Sequence, residues 1–233
     1  MLELFPLGIE ERDLDGEVEL AAYTDASGEG RMRTHFAGVT VGEVAEGWEE
    51  RWREFHHGVL AGSLWVGPPW EQPLHGVQAV VIEPGRAFGT GAHPTTRLCL
   101  ELLSVLPSGS LLDVGCGSGV LAVAGAKLGY APVYAVDHDP VAVETTIANA
   151  AANGVDVHAR VADAHAGDLP EVNTTVANLT LGDVRRLLRR APSSRLVTSG
   201  YLAIDSLQLN GHTSARRATL DGWAADVWTP GEE

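Results

Sequence analysis

Three glycines at alternate positions, Gly115, Gly117 and Gly119, follow the apolar run Leu111-Leu112-Asp113-Val114 and precede residues whose apolar members recur at three and four. Glycine removes side chains where a backbone turns sharply, and lets a ligand lie against main-chain amides. A turn of this kind opening a helix directs free N–H groups and the positive helix end at an anion such as a phosphate or a carboxylate. Dinucleotide enzymes place their third glycine three positions after the second. That position here is Val120, so the spacing departs from theirs. With Asp113 two residues ahead, the turn suits the carboxylate and ammonium of a methionine moiety. The same turn also serves as plain structure in other α/β proteins.

A second acid follows at the spacing a nucleoside needs. Val133–Val136 is an apolar run that ends at Asp137, about 20 residues after the glycines, where a βαβ unit returns an acid to the ligand crevice. Asp137 can accept from two adjacent ribose hydroxyls. Asp139 is expected to cap the next helix, with Pro140 at its first position and Gly154 after its end. A third strand at Val157–Val161 ends near Asp163, placed to accept from an adenine amino group. A fourth, Thr174–Ala177, ends at Asn178, at the carboxyl edge where open α/β sheets bind ligands. Asn178 is the candidate for the reacting centre; it equally suits a cap for a helix beginning near Gly182.

Further strands and helices position these groups. Leu111–Val114, with no polar alternation, reads as a parallel strand covered on both faces, and Leu121, Ala124 and Leu128 as the apolar face of a helix stopped at Gly129. Before them, Gly89 and Gly91 flank Thr90, so a second loop brings backbone and a hydroxyl close to a ligand, and Pro94 starts a helix with the stripe Leu98, Leu102 and Val105. His93 either fixes this loop or meets substrate, and has no assigned catalytic role. Arg195–Ser199 reads as a fifth strand, followed by a helix near Ile204–Leu209. Arg216–Leu220 and Trp223–Trp228 read as a hairpin about Asp221-Gly222. Near the start, Glu17–Tyr23 and Arg31–Val41 read as strands joined through a turn at 27–30. Trp48, Trp52 and Phe55, then Trp65 and Trp70, either pack one domain on another or line a ligand box; Pro68-Pro69 reads as a stiff connector.

The chain has 233 residues and a net charge of −15. That charge argues against a broad nucleic-acid surface and favours a basic partner. Arg185, Arg186, Arg189 and Arg190 therefore read as a solvated helix face rather than a nucleic-acid patch. Cys99 and Cys116, the two cysteines, lack metal-ligand spacing and read as core residues. No metal is expected. No leader precedes Glu10 and no apolar run approaches a membrane span, so a cytoplasmic, monomeric protein without membrane contact is expected.

Taken together, the stretches WEERWREFHHGVLAGSLWVGPPW, IEPGRAFGTGAHPTT, LLDVGCGSGVLAVAGAKLG, VDHDPVAVETTIANAAANGV and VANL resemble the PrmA family of bacterial lysine methyltransferases acting on protein eleven of the large ribosomal subunit. The glycine turn belongs to all class I methyltransferases, whereas the AFGTG-x-H-x-TT loop is far more specific. The resemblance implies a Rossmann-like α/β fold with a seven-stranded, mostly parallel sheet and a small α+β amino-terminal domain. It also implies S-adenosylmethionine as cofactor and a basic ribosomal protein as substrate. Residue by residue, Phe88, Thr90 and Gly91 match the loop over the cofactor, Gly115 and Gly117 the methionine turn, Asp137 the ribose acid, and Asn178 the asparagine beside the transferred methyl. The domains expected are a shortened recognition unit at 1–57, a linker at 58–75 and a catalytic domain at 76–233. Against the family's pattern, the chain is expected to enter after a first strand and helix, near Leu4. Leu179-Thr180-Leu181 lacks the Pro-Pro-aromatic of enzymes that methylate planar nitrogens, so an aliphatic amine is the expected acceptor. Two alternatives stay open: a methyltransferase acting on another protein or a small molecule, and a cofactor-binding regulator without transfer activity.

Overall fold

The computed structural model describes residues 10–14, 17–21, 26–36, 38–41, 56–84, 91–166, 168–187, 193–208 and 212–231. The chain divides into two compact units, Met1–Arg51 and Trp52–Glu233. In the first, β1 (Glu10–Leu14) and β2 (Glu17–Ala21) form an antiparallel hairpin. A helix, α1 (Ala26–His35), occupies most of the span expected to be a turn and a second strand. Local bonds four residues apart account for the difference: Arg33 pairs with Glu29 at 2.9 Å and the Thr34 hydroxyl donates to the Gly30 carbonyl at 2.8 Å. A helix satisfies its backbone internally, whereas a strand needs a neighbour.

The second unit is built on a seven-stranded sheet of order β11-β12-β10-β9-β6-β7-β8. Its parallel part comprises β6 (Leu111–Val114), β7 (Val133–Asp137), β8 (His158–Val161), β9 (Val172–Asn178) and β10 (Ser193–Leu202). All four residues of β6 are buried, as the unalternated apolar run requires. Leu111 packs into the core cluster on one face of the sheet, Leu112 and Val114 into the cluster on the other. From β6 the chain winds outward through β7 and β8, then returns to lay β9 on the opposite side of β6. That reversal opens a crevice at the carboxyl end of β6, where doubly wound sheets hold ligands.

Four helices accompany the sheet: α2 (Pro94–Val105), α3 (Val120–Lys127), α4 (Pro140–Ala152) and α5 (Leu181–Leu187). Both proline starts behave as the sequence implies. Asp139 caps α4 by accepting from the Val141 N–H at 2.9 Å, and His93 caps α2 by accepting from the Thr95 N–H.

A three-stranded sheet precedes α2, with β3 (Val59–Ala61) antiparallel to β4 (Leu64–Gly67) and β4 parallel to β5 (Gln78–Val81). The stretch expected as a linker thus contains two strands, and Leu64, Trp65 and Val66 are core residues. Trp65 lies flat against Gly58 and Gly67, where any Cβ would strike the indole. Glu71 ties the start of this sheet, accepting from the Gly58 N–H at 2.6 Å and pairing with His57 at 2.7 Å. Trp48, Trp52 and Phe55 lie outside the described residues.

At the far edge, β11 (His212–Leu220) and β12 (Trp223–Pro230) form the expected hairpin, turning at Asp221 and Gly222 with φ of 48° and 80°. The helix expected near Ile204 is absent from the described residues 203–208, which form a turn in which Asp205 accepts from the Leu202 N–H and donates its own to the Leu202 carbonyl. Side-chain capture of a backbone donor competes with helix formation, as aspartate commonly does. Between Ser199 and Tyr201 the ladder slips by one residue at Gly200, whose φ is 100°. Any Cβ there would collide with the Leu179 carbonyl oxygen. Gly200→Ala should therefore lower stability by at least about 2 kcal/mol, as backbone strain and a main-chain clash combine; chemical denaturation of both proteins measures the difference.

Candidate functional site

The chain leaves β6 through three glycines that all adopt positive φ: 72° at Gly115, 53° at Gly117 and 80° at Gly119. Space as well as torsion excludes side chains. A Cβ on Gly115 would strike Leu179, and one on Gly119 would lie 2.8 Å from the Thr146 side chain. Gly115 and Cys116 donate their N–H groups to the Val136 carbonyl, so the turn is bolted to β7. Helix α4 holds it from the other side. The Thr146 hydroxyl reaches the Gly117 carbonyl at 3.2 Å, and the Asn149 amide donates to the Ser118 carbonyl at 2.8 Å. Asn149 also accepts from the Glu83 N–H, while Asn153 both accepts from and donates to Val81. These three residues went unnoticed in the sequence. Their signal was polar side chains three and four apart on one face of an otherwise apolar helix.

Asp137 ends β7 at the rim of the turn and is 8% exposed. Its two oxygens accept from the Gly117 and Asp139 N–H groups, each at 3.0 Å. The His138 ring also lies 3.3 Å from one of these oxygens; a carboxylate has about four acceptor positions, so capacity beyond the two backbone bonds remains. Asp163 lies just beyond β8, exposed, and accepts from the His165 N–H at 2.8 Å. Asn178 ends β9 and donates its amide to the Thr96 hydroxyl on α2 at 3.2 Å. It does not cap the next helix, since the Thr180 hydroxyl accepts from the Asp183 N–H in that place. Gly91, with φ of 93°, sits against Val66 with no room for a side chain. Phe88 and Thr90 fall outside the described residues. His93 holds its loop, as helix cap and through an edge-on ring contact to Trp223 at 4.9 Å. Burial lowers its pKa from the ordinary histidine value.

Asp113 points into the core beneath the turn and is 1% exposed. One oxygen accepts from the Ala122 N–H at 3.0 Å; the other has no hydrogen-bond partner. Burial pushes this carboxyl up to about 7 against the opposing pull of the Ala122 donor, and the neighbouring Asp137 charge adds to the rise. Cys99 and Cys116 are buried, unpaired and raised above the ordinary thiol range by desolvation, so neither supplies a thiolate. Among the described residues there is no group of side chains arranged to hold a metal ion, and no helix long and apolar enough to cross a membrane.

Residues 12–225 match the family model described as ribosomal protein L11 methyltransferase (PrmA). The chain is 39% identical over 166 residues to the ribosomal protein L11 methyltransferase of Myxococcus xanthus, covering 67% of this chain and 57% of that protein. To the one from Symbiobacterium thermophilum it is 39% identical over 193 residues, covering 78% and 60%. The chain thus spans less than two thirds of the length of these relatives. The crystal structure of a ribosomal protein L11 methylase from Lactobacillus delbrueckii subsp. bulgaricus superposes with a TM-score of 0.66 at 25% identity, over 76% of this chain and all of that one.

The raised carboxyl of Asp113 has a consequence for folding. A group that holds its proton more tightly in the folded than in the unfolded chain makes the folded state bind more protons between the two pKa values, so stability falls as pH rises through that window. The window runs from the ordinary aspartate value of 3.8 to about 7. Asp113→Asn should remove this component, and the stability difference between variant and parent should shift in the variant's favour from pH 4 to pH 7, read from urea unfolding at each pH.

Proposed function

The chain belongs to the ribosomal protein L11 methyltransferase (PrmA) family, and from that premise we propose that it transfers methyl groups from S-adenosylmethionine to amino groups of ribosomal protein L11. The observation that carries this reading is the meeting of the glycine turn, Asp137 and Asn178 at one carboxyl edge. Gly117 and Asp137 are joined there by a hydrogen bond, and Asn178 ends the strand on the other side of β6.

The residues present fit the cofactor. The turn excludes side chains at Gly115 and Gly119, which would strike Leu179 and Thr146, and its bare main chain suits a carboxylate laid on backbone donors. Asp137 keeps acceptor capacity for two ribose hydroxyls, and Asp163 stands one strand further out for the adenine. Asp113, with one oxygen unpartnered, contributes from beneath as a carboxyl that a nearby cation would help to ionise. Gly91, with Phe88 and Thr90, would cover the cofactor.

When bound, S-adenosylmethionine supplies an electrophilic methyl on a cationic sulfur, and its transfer forms an N–C bond while the C–S electron pair stays on a neutral thioether. The protein's part is to position and desolvate the reactants. The Asn178 amide donates to Thr96, and its carbonyl oxygen would accept an N–H of the incoming amine. Lysine has an ordinary pKa of about 10.4 and must lose a proton to water before attack. A positive charge close by favours the neutral amine. A basic acceptor suits a chain of net charge −15. In this reading residues 76–233 do the chemistry, 1–57 meet the acceptor, and the protein works as a monomer in the cytoplasm beside its ribosomal target.

Label from radioactive S-adenosylmethionine should enter L11 when the protein is incubated with ribosomal proteins from cells lacking the endogenous enzyme. Label in another protein would move the acceptor, and binding without transfer would leave only a cofactor-responsive regulator. Asp137→Ala should weaken cofactor binding by about 1.5–3 kcal/mol, the scale of hydrogen bonds to a charged group; unchanged affinity by calorimetry would remove Asp137 from the ribose.

A further inference from the structure

Where a helix was expected after β10, the chain instead builds a pinned turn that holds apolar side chains out to solvent. Ile204 is 89% exposed and Leu202 43%. Single exposed apolar residues are ordinary on any surface. This pair differs because the backbone beneath it is fixed by three separate elements. Arg217 of β11 donates to the Ala203 carbonyl at 3.0 Å and to the Asp205 carbonyl at 2.8 Å. Arg185 of α5 reaches the Ser206 carbonyl at 3.3 Å, and the Ala203 N–H donates to the Gly222 carbonyl in the hairpin tip. The Asp205 carboxylate takes the Leu202 N–H at 2.9 Å, and Leu207 is buried on the inner side. An apolar surface already held in one conformation loses little entropy on contact, which favours binding.

Its location ties it to the reacting centre. Ser199 of β10 lies opposite Asn178 of β9, and the Leu179 N–H donates to the Ser199 carbonyl. Leu202 follows three residues later, about 10 Å further along the strand at ~3.3 Å per residue. An extended acceptor chain advances by nearly the same step, ~3.3–3.6 Å per residue. A side chain about three positions from a lysine held at Asn178 therefore reaches the turn. The surroundings fit a basic partner. Asp221 at the hairpin tip presents an exposed carboxylate and Asp183 of α5 a half-exposed one, held by the Thr180 hydroxyl at 2.7 Å and 3.4 Å from His165, while the guanidinium groups of Arg185 and Arg217 are engaged by carbonyls of the turn.

We propose that the turn formed by residues 202–206 is a docking point for the methyl acceptor, with Ile204 and Leu202 receiving an apolar side chain about three residues from the lysine that is modified. This rests on the transfer reaction proposed above and adds a second point of contact, outside the amino-terminal unit. The test is steady-state methylation of purified L11 by the parent, Ile204→Ser, Leu202→Ser and, as a control at an exposed apolar side chain at the far end of α2, Val105→Ser. Ile204→Ser should raise KM for L11 about tenfold, the scale expected for losing a buried branched side chain, with kcat and cofactor affinity within twofold of the parent. Leu202→Ser should act in the same direction and Val105→Ser should leave KM unchanged. A KM within twofold of the parent for Ile204→Ser overturns the proposal while leaving the methyl transfer intact. So does a matching loss of cofactor affinity, which would assign the turn to the cofactor pocket. A parent dimer that Ile204→Ser dissociates without change in KM would assign it to self-association instead. Absence of methylation by the parent overturns this proposal and the reaction together.

Discussion

The hydrogen bond from the Gly117 amide to the Asp137 carboxylate is the constraint on which the site depends. It forms only because Gly117 holds a φ of 53°, turning its N–H toward the end of β7. A buried amide without a partner costs on the order of 1–3 kcal/mol, so the turn and the acid hold each other in place. The second oxygen of Asp137 takes the Asp139 N–H, and Asp139 in turn caps α4. Two turns along that helix, Thr146 and Asn149 return to the carbonyls of Gly117 and Ser118. The circuit closes on itself: turn, acid, cap, helix, turn. Each bond in such a ring polarises and orients the next, so local geometry is set by several partners at once.

The Asn178 side of the crevice hangs on a different chain of contacts. Asn178 is oriented by Thr96, in the first turn of α2. That helix is capped by His93, and the His93 ring rests against Trp223 at the start of β12. The same hairpin is locked to β10 by a buried set of polar groups. Tyr201 bonds to Thr198 and Asp226, and the Trp228 indole donates to Thr198, all within 2.9 Å. Burial raises both Tyr201 and Asp226 above their ordinary values, so this set is sensitive to any partner lost. A tail that looks remote in sequence thus aligns the strand beside Asn178.

What the sequence disclosed follows the physics of each element. The buried parallel strands, the glycine turn and the proline-started helices were legible because their signals are local: an apolar run, a residue type that alone tolerates positive φ, a cap followed by proline. The places of Asp137 and Asn178 at the ends of β7 and β9 were legible because each closes an apolar run. The supports were not, since Thr146, Asn149, Asn153 and Thr96 act across long gaps in the chain, and a polar residue on a helix reads as solvent-facing until its neighbour is known. The two misread segments failed for opposite reasons. Residues 26–35 lack apolar periodicity, and their helix rests on a short-range pair, Glu29 with Arg33. The residues after Leu202 carry apolar spacing suited to a helix, yet Asp205 captures a backbone donor and Arg217 holds the carbonyls outward.

Asp113 shows how the demands of fold and ligand diverge. For folding alone it is a poor choice: a carboxyl buried in the core, one oxygen unpartnered, with a second acid close enough to oppose its ionisation. An apolar residue would pack β6 against α3 at lower cost. Its one hydrogen bond, to the Ala122 N–H, does satisfy a donor in the first turn of α3 that the helix itself leaves free. The remaining oxygen would gain from a positive charge overhead, and the proposed cofactor brings two, an ammonium and a sulfonium. Their approach would favour the ionised carboxylate. Local rules of packing are broken most often where a ligand restores the balance, and here the break lies directly beneath the glycines that would receive the ligand's amino-acid end.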